Sequence, residues 1–227
     1  GEGAVAKTGD GTLILGGSDQ NTALSLSAGA GSLELAKTGA ADAYAVDVLD
    51  IADGASVVVG GSNGNQIGGD VNLSGGTLDL GGNNELIGTL SSTDHSSVVE
   101  NNGTAAELSV GDGDGYSTFA GTLKDGTGAL SLAKVGTGTL TMSADSIAYS
   151  GGTDVDDGTL RLLPVVLPIT DGLAYQLDAV NIDSITLGGA RVAAWADSSV
   201  AGVDFSQGNV SQQPEDVRSA MNGLPAV

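Results

Sequence analysis

The chain has no cysteine, one histidine and few basic residues, and each shortage excludes a class of function. Without cysteine it forms no disulfide and offers no thiolate ligand, and without a second histidine a structural zinc site is excluded. Seven Lys and Arg stand against 28 Asp and Glu, a net charge of −21. That balance argues against binding to nucleic acid or to an anionic membrane surface, because phosphates are bound mainly by basic side chains. No apolar run approaches the roughly 20 residues of a spanning helix, so we expect no membrane insertion by this segment.

The chain is rich in glycine and in small and aliphatic residues. Of the 227 residues, 38 are glycine, and aromatic residues make up only 3%. Leu and Val nevertheless recur at short intervals throughout the chain. Because disordered chains of high net charge lack such residues, the composition favours a folded protein.

One phrase that opens with lysine occurs three times. It reads KTGDGTLIL at residues 7–15, KVGTGTLTM at residues 134–142 and, in shortened form, LELAKTG at residues 33–39. The lysines of these phrases, Lys7, Lys37 and Lys134, therefore occupy the same repeat position. We interpret them as structural residues.

A second phrase that opens with a glycine pair sets the period. It reads SGGTLDL at residues 74–80 and has relatives at residues 150–155 and 157–162. One repeat separates Leu140 from Leu160, and we take the slightly longer step from Leu13 to Leu35 as a second repeat. The sequence therefore has a repeat of about twenty residues.

Each repeat has the pattern of short strands joined by tight turns. Residues 12–15, 23–27, 56–59 and 70–74 are β-prone, and most alternate apolar with polar residues. Glycine pairs and Asn-Gly or Asp-Gly steps separate them, as turns with positive φ require. We predict an all-β fold in which residues 1–163 form a parallel β-solenoid of seven or eight coils, about 35–40 Å long at about 4.8 Å per coil. A thin interior without room for rings explains the scarcity of aromatic residues.

The repeat positions are assigned structural roles. They are Lys7, Gly9, Gly11, Thr12, Leu13, Lys134, Gly136, Gly138, Thr139, Leu140, Gly151, Gly152, Thr153, Gly158, Thr159 and Leu160.

Two segments of the chain resemble known families. Residues 132–143 and 149–160 are similar to the autotransporter-associated β-strand repeat, which implies a right-handed parallel β-helix in the passenger region of a secreted bacterial surface protein. Prolines at 164 and 168 indicate a linker over residues 164–170. Residues 171–227 resemble the start of a concanavalin A-like, laminin G-like jelly-roll domain, through residues 177–179, 191–198, 213–214 and 222–227. Such a domain is longer, so we expect a partial antiparallel β-sandwich.

The ends of the chain lead to two further expectations. The chain begins with Gly1 and shows no basic-then-apolar leader, so we expect a mature product or a piece of a longer protein. Because the coil ends of a solenoid are open ladders, we also expect chains to stack head to tail into a fibre.

Candidate catalytic and metal-binding residues are few. His95 follows Asp94 in a polar stretch, where a solvated loop residue is favoured over a general base. Residues 111–115 (GDGDG) resemble half of a calcium loop, and Asp154, Asp156 and Asp157 raise the same question. We favour plain turns at both places, predict no other cofactor, and leave calcium open as the alternative.

The function predicted from these observations is non-enzymatic. We expect a secreted structural or adhesive protein, a stiff stalk or fibre subunit at a bacterial cell surface. The first alternative is carbohydrate binding through the jelly-roll segment, with Trp195 as the candidate glycan contact. The second is a polysaccharide lyase or hydrolase, which would require carboxylates that converge with Lys124 or Arg161 in a groove.

Overall fold

The computed structural model describes residues 3–39, 43–61, 64–143, 146–163, 185–188, 191–196, 205–213, 217–221 and 224–226. The chain divides into two units, Gly1–Val165 and Val166–Val227. The predicted linker at residues 164–170 lies outside the described residues.

Three parallel sheets make up the first unit. The first sheet consists of β1 (Gly3–Lys7), β3 (Leu24–Ala28), β5 (Val48–Ala52), β7 (Val71–Ser74), β10 (Leu90–Ser92), β13 (Ser117–Phe119), β16 (Thr139–Ser143) and β19 (Thr159–Leu163). The second consists of β2 (Thr12–Gly17), β4 (Gly31–Lys37), β6 (Ala55–Val59), β8 (Thr77–Asp79), β11 (Val98–Asn101), β14 (Thr122–Asp125) and β17 (Ile147–Ala148). The third consists of β9 (Glu85–Ile87), β12 (Ala106–Val110), β15 (Leu130–Lys134) and β18 (Thr153–Val155).

The chain winds through these sheets as a solenoid. Each coil passes from the first sheet to the second and, from the fourth coil onward, to the third before it returns to the first. The eight strands of the first sheet bound seven coils, a length of about 34 Å at about 4.8 Å per coil. The predicted parallel β-solenoid is therefore confirmed, while its right-handed sense stays a prediction.

The strand register corrects one of the two repeat steps. Leu140 pairs with Leu160, so the step between these two leucines is confirmed as one coil. Leu13 pairs with Leu33 and not with Leu35, so the longer step inferred from Leu13 was wrong. The error arose because two inward leucines alternate along each of these strands, and register is set by which of them share a column.

Columns of inward side chains form the core. One column in the first sheet runs through Leu26, Leu49, Val71 and Leu90, all of which are buried. The coils are held together by burial of these columns, because each coil shields its apolar residues only against its neighbours.

The expectation that the interior has no room for rings was wrong at one position. The ring of Phe119 is fully buried, and its register partners are Ser92 on β10 and Met142 on β16. The small Ser92 side chain bonds to Ser97 Oγ at 2.9 Å and leaves volume that the ring occupies. The ring therefore fits although only one of its two register partners is small.

The second unit contains short antiparallel strands. β20 (Ile185–Leu187), β21 (Val192–Trp195) and β22 (Phe205–Ser206) form one sheet, and β23 (Val217–Met221) pairs with β24 (Leu224–Ala226). A 3-10 turn covers Val210–Gln212. Residues 177–179, 197–198, 214 and 222–223 of the jelly-roll resemblance lie outside the described residues, so that assignment stays a prediction.

Helices contribute little to the described part of the chain. None that it contains is long and apolar enough to cross a membrane.

Candidate functional site

A shallow groove of about 700 Å³ runs over the outer face of the first sheet. Five successive strands, β7, β10, β13, β16 and β19, contribute to its lining. Since neighbouring strands lie about 4.8 Å apart, the groove spans about 19 Å along the solenoid axis.

The floor of the groove is polar. The register places Asn72 beside Ser91, and Thr118, Thr141 and Arg161 follow in line on the later strands. The residues that line the groove include no Asp or Glu, although 28 such residues occur in the chain. Arg161 is exposed, and its side chain makes no hydrogen bond or ion pair to a described residue.

Tyr116 stands at the edge of this groove with 80% of its surface exposed. Tyr116 directly follows the GDGDG loop at residues 111–115. This loop lies between β12 and β13. The coil that contains this loop runs from Ser92 to its register partner Phe119 and is longer than the preceding coil, which runs from Val71 to Leu90. Tyr116 directly precedes β13, and its side chain lies at the surface.

The loop that presents Tyr116 is clamped to the next coil. Asp114 has φ of 62°, and its Oδ1 accepts a hydrogen bond from the Thr137 backbone N–H at 2.6 Å. That hydrogen bond lowers the pKa of Asp114. Asp114 therefore serves as a link between coils and holds the loop in one conformation.

The aspartates that resembled calcium ligands do not come together. Within the described ranges, no three His, Asp or Glu residues are close enough to hold a metal ion. Asp154, Asp156 and Asp157 are exposed, and Asp157 Oδ1 accepts from the Gly158 backbone N–H at 2.7 Å. The described geometry favours the turn interpretation at both places.

The three repeat lysines end strands of three different sheets. Lys7 ends β1 of the first sheet, Lys37 ends β4 of the second, and Lys134 ends β15 of the third. They share a position in the phrase but not a position in the coil. The same phrase therefore builds different corners of the solenoid.

Each of these lysines is buried and donates to backbone carbonyl groups of a corner. Lys7 Nζ bonds to Gly9 O and Ala30 O, both at 2.7 Å, and Lys134 Nζ bonds to Gly136 O at 2.8 Å and to Val135 O. A buried ammonium group requires such acceptors, because without them the desolvation cost would be large. These contacts favour the structural role predicted for the lysines.

Polar side chains replace the third sheet in the early coils. Lys37 Nζ donates to Asp19 O at 2.6 Å, and Gln66 Oε1 accepts from Lys37 N at 2.8 Å. The carboxyl group of Glu85 then accepts from Gln66 N at 3.0 Å and from Ile67 N at 3.2 Å. This polar stack joins the first four coils on the side where β9 is the first strand of the third sheet among the described residues.

Glu85 is the buried acid of this stack. Only 1% of its surface is exposed, and burial raises its pKa to about 8, although the two backbone hydrogen bonds act in the opposite direction. The carboxyl group is therefore protonated at neutral pH and has no access to solvent for catalysis.

The residues proposed for a lyase or hydrolase are separated. Lys124 lies on β14 of the second sheet and forms an ion pair with Glu100 at 2.9 Å, whereas Arg161 lies on the first sheet. His95 is exposed in a turn, beside Asp94, whose pKa is lowered by hydrogen bonds from Ser96. Within the described part of the chain, Lys124 therefore has one carboxylate partner, Glu100, and Arg161 has none.

Trp195, the candidate glycan contact, lies within a strand of the second unit. It pairs with Ile185 on one side and Phe205 on the other, and it is half-buried. Its role in binding stays a prediction.

Comparison with known proteins gives a match in the solenoid alone. A family model described as passenger-associated-transport-repeat matches residues 5–23 and 132–162. The two segments are similar to that repeat. They include the lysine phrases at both ends of the solenoid, so the resemblance seen in the sequence is confirmed for the repeat. No curated protein and no solved structure matches the chain.

Sequence reasoning missed two features of this surface and its interior. Tyr116 directly follows the glycine-rich GDGDG turn, in a chain with few aromatic residues. That position could have indicated an aromatic side chain at the surface. Glu85 carries no local signal, because its burial depends on Gln66 in the preceding coil.

Proposed function

We propose that the chain is a non-enzymatic structural part of an exported protein at a bacterial cell surface. The observation that supports this proposal is the unbroken parallel ladder of the first sheet, from β1 to β19. Such a ladder makes a stiff rod, because bending it would break backbone hydrogen bonds and open buried columns. The similarity of residues 5–23 and 132–162 to a passenger repeat supports export to the surface.

Exposed and acidic corners fit the same role. The turn at residues 93–96 is exposed, and the net charge of −21 favours solubility. The solenoid then acts as a spacer that carries other segments away from the cell. An adhesive role, and a jelly-roll domain in the second unit, remain finer proposals.

An epitope inserted after His95 tests the surface location. We expect antibody to label intact cells of the producing bacterium, because residues 93–96 are exposed at the surface of the solenoid. A cytoplasmic protein with the same epitope serves as the control and is expected to stay unlabelled until lysis. Labelling of the chain only after lysis would contradict the proposal.

We further propose that chains stack head to tail. Inward residues at the two ends of the solenoid are uncovered: Val5 of β1 is 39% exposed and Leu162 of β19 is 48% exposed. Their register partners Leu26 and Met142 are almost fully buried. A second copy would continue both the columns and the backbone ladders.

Sedimentation velocity over a range of concentrations tests this stacking. We expect reversible association, weakened about tenfold or more by Val5→Asp, because a carboxylate would enter an apolar column. Ser56→Asp is the control, since Ser56 lies on the outer face of β6, which already has a paired strand on each side. A chain that stays monomeric at the highest concentration, or equal effects of both variants, would refute stacking.

A further inference from the structure

We propose that the groove on the outer face of the first sheet binds a linear polysaccharide along the solenoid axis, with Tyr116 stacked on a sugar ring. This inference goes beyond the structural role, since a rod can serve as a spacer without a ligand. It also concerns a different surface from Trp195, which belongs to the second unit.

The shape of the groove fits an extended chain. The groove crosses five strands and is open along its length, so it offers a track of about 19 Å and not an enclosed pocket. A compact cofactor would leave most of its surface exposed there, whereas a polymer gains contacts with each coil. The outer face is not a sheet edge, so a peptide could not add to it as a further strand.

Tyr116 supplies a rigid aromatic platform. Its ring is the most exposed of the large apolar side chains in the described residues, at 80%. The Asp114–Thr137 hydrogen bond holds the loop two residues before it, so less backbone entropy is lost when a ligand stacks on the ring. The apolar face of a sugar ring is a suitable partner for such a platform, because tyrosine offers an apolar ring and a polar hydroxyl.

The groove floor supplies the polar contacts that sugar hydroxyls need. Ser91, Thr118 and Thr141 lie in line beneath the track, and hydroxyl groups both donate and accept hydrogen bonds. The hydroxyls recur at the coil spacing, so successive sugar units meet similar partners. This chemistry suits a polyhydroxylated chain better than a lipid or an apolar ligand.

The charge of the groove differs from that of the molecule. Its lining has no Asp or Glu, and the guanidinium of Arg161 lies at one end without a partner among the described residues. A neutral glycan and a glycan that carries carboxylate groups would both stack on Tyr116 and form hydrogen bonds with the hydroxyl groups of the groove. Arg161 would add an ion pair only for the second kind.

Isothermal titration of the 227-residue chain with cellohexaose, a neutral ligand, and with hexagalacturonate, an acidic one, tests the proposal. We expect at least one to bind, with Tyr116→Ala raising Kd about tenfold through the loss of stacking. Ile14→Ala is the control, because Ile14 is also exposed but lies on the second sheet. Circular dichroism of each variant checks that the solenoid is intact.

The two ligands and a second pair of variants show whether the groove prefers a neutral or an acidic glycan. Arg161→Gln is expected to weaken binding of hexagalacturonate but not of cellohexaose, while Lys124→Gln, on the second sheet, weakens neither. Binding of either ligand with loss in Tyr116→Ala supports the groove. Absence of binding at millimolar concentrations of both ligands, or binding that Tyr116→Ala leaves unchanged, overturns it. Neither result bears on surface location, which the epitope experiment tests separately.

Discussion

Gly138→Ala is expected to destabilise the solenoid by at least about 3 kcal/mol. A Cβ at this position would overlap the backbone carbonyl oxygen of Gly115 in the preceding coil, and both glycines lie within two residues of the paired strands β13 and β16, which limits how far either backbone can shift. Urea unfolding followed by circular dichroism measures the free energy of unfolding of the variant and the parent chain.

Gly11→Ala is the matched control for this substitution. Gly11 holds the same place in its lysine phrase as Gly138, but a Cβ there would have no atom within 4 Å. We expect its effect to stay within about 0.5 kcal/mol, because the added methyl group would meet no other atom. Equal losses for the two variants would show that glycine is required by the turn itself and not by the stacking of coils.

Glu85→Gln is expected to remove a pH dependence of stability. Between pH 4.5 and about 8 the folded chain keeps a proton on Glu85 that the unfolded chain has released. Unfolding therefore releases a proton, and the free energy of unfolding falls as pH rises, by up to about 1.4 kcal/mol per pH unit. The contribution is fully present below pH 4.5 and is lost above about 8.

The measurement is the difference in free energy of unfolding between Glu85→Gln and the parent chain at several pH values. We expect the variant to match the parent near pH 5 and to exceed it by about 4 kcal/mol near pH 9, since an amide has no charge to bury. Glu107→Gln, on the outer side of β12, corrects for the change in overall charge. A difference that does not vary with pH would contradict the buried protonated acid.

The strands of the regular coils were predictable because their period is explicit. Alternation predicts β2, β3, β6 and β7, and Leu140 and Leu160 fall in register as the repeat of the glycine phrases predicts. These features depend on the alternation of apolar and polar residues and on the repeat of similar phrases, and both can be read directly from the sequence.

The side of the coil on which each phrase lies was not predictable from the phrase. Lys7 and Lys134 open similar sequences, yet they end strands of different sheets. The assignment depends on the lengths of the intervening coils, and these differ, as the register partners Val71 and Leu90 and the more widely spaced Ser92 and Phe119 show. Glu85 and Tyr116 were missed for the same reason, because their surroundings are set by neighbouring coils.

The use of one lysine phrase at several corners has a consequence for growth of the rod. Because the phrase fits more than one corner, duplication of a single phrase would add a third of a revolution and not a whole one. Every side chain beyond the duplication would then point in a new direction about the solenoid axis, while the strands stayed paired. Small duplications could thus rotate a displayed residue such as Tyr116 about the axis without the invention of a new fold.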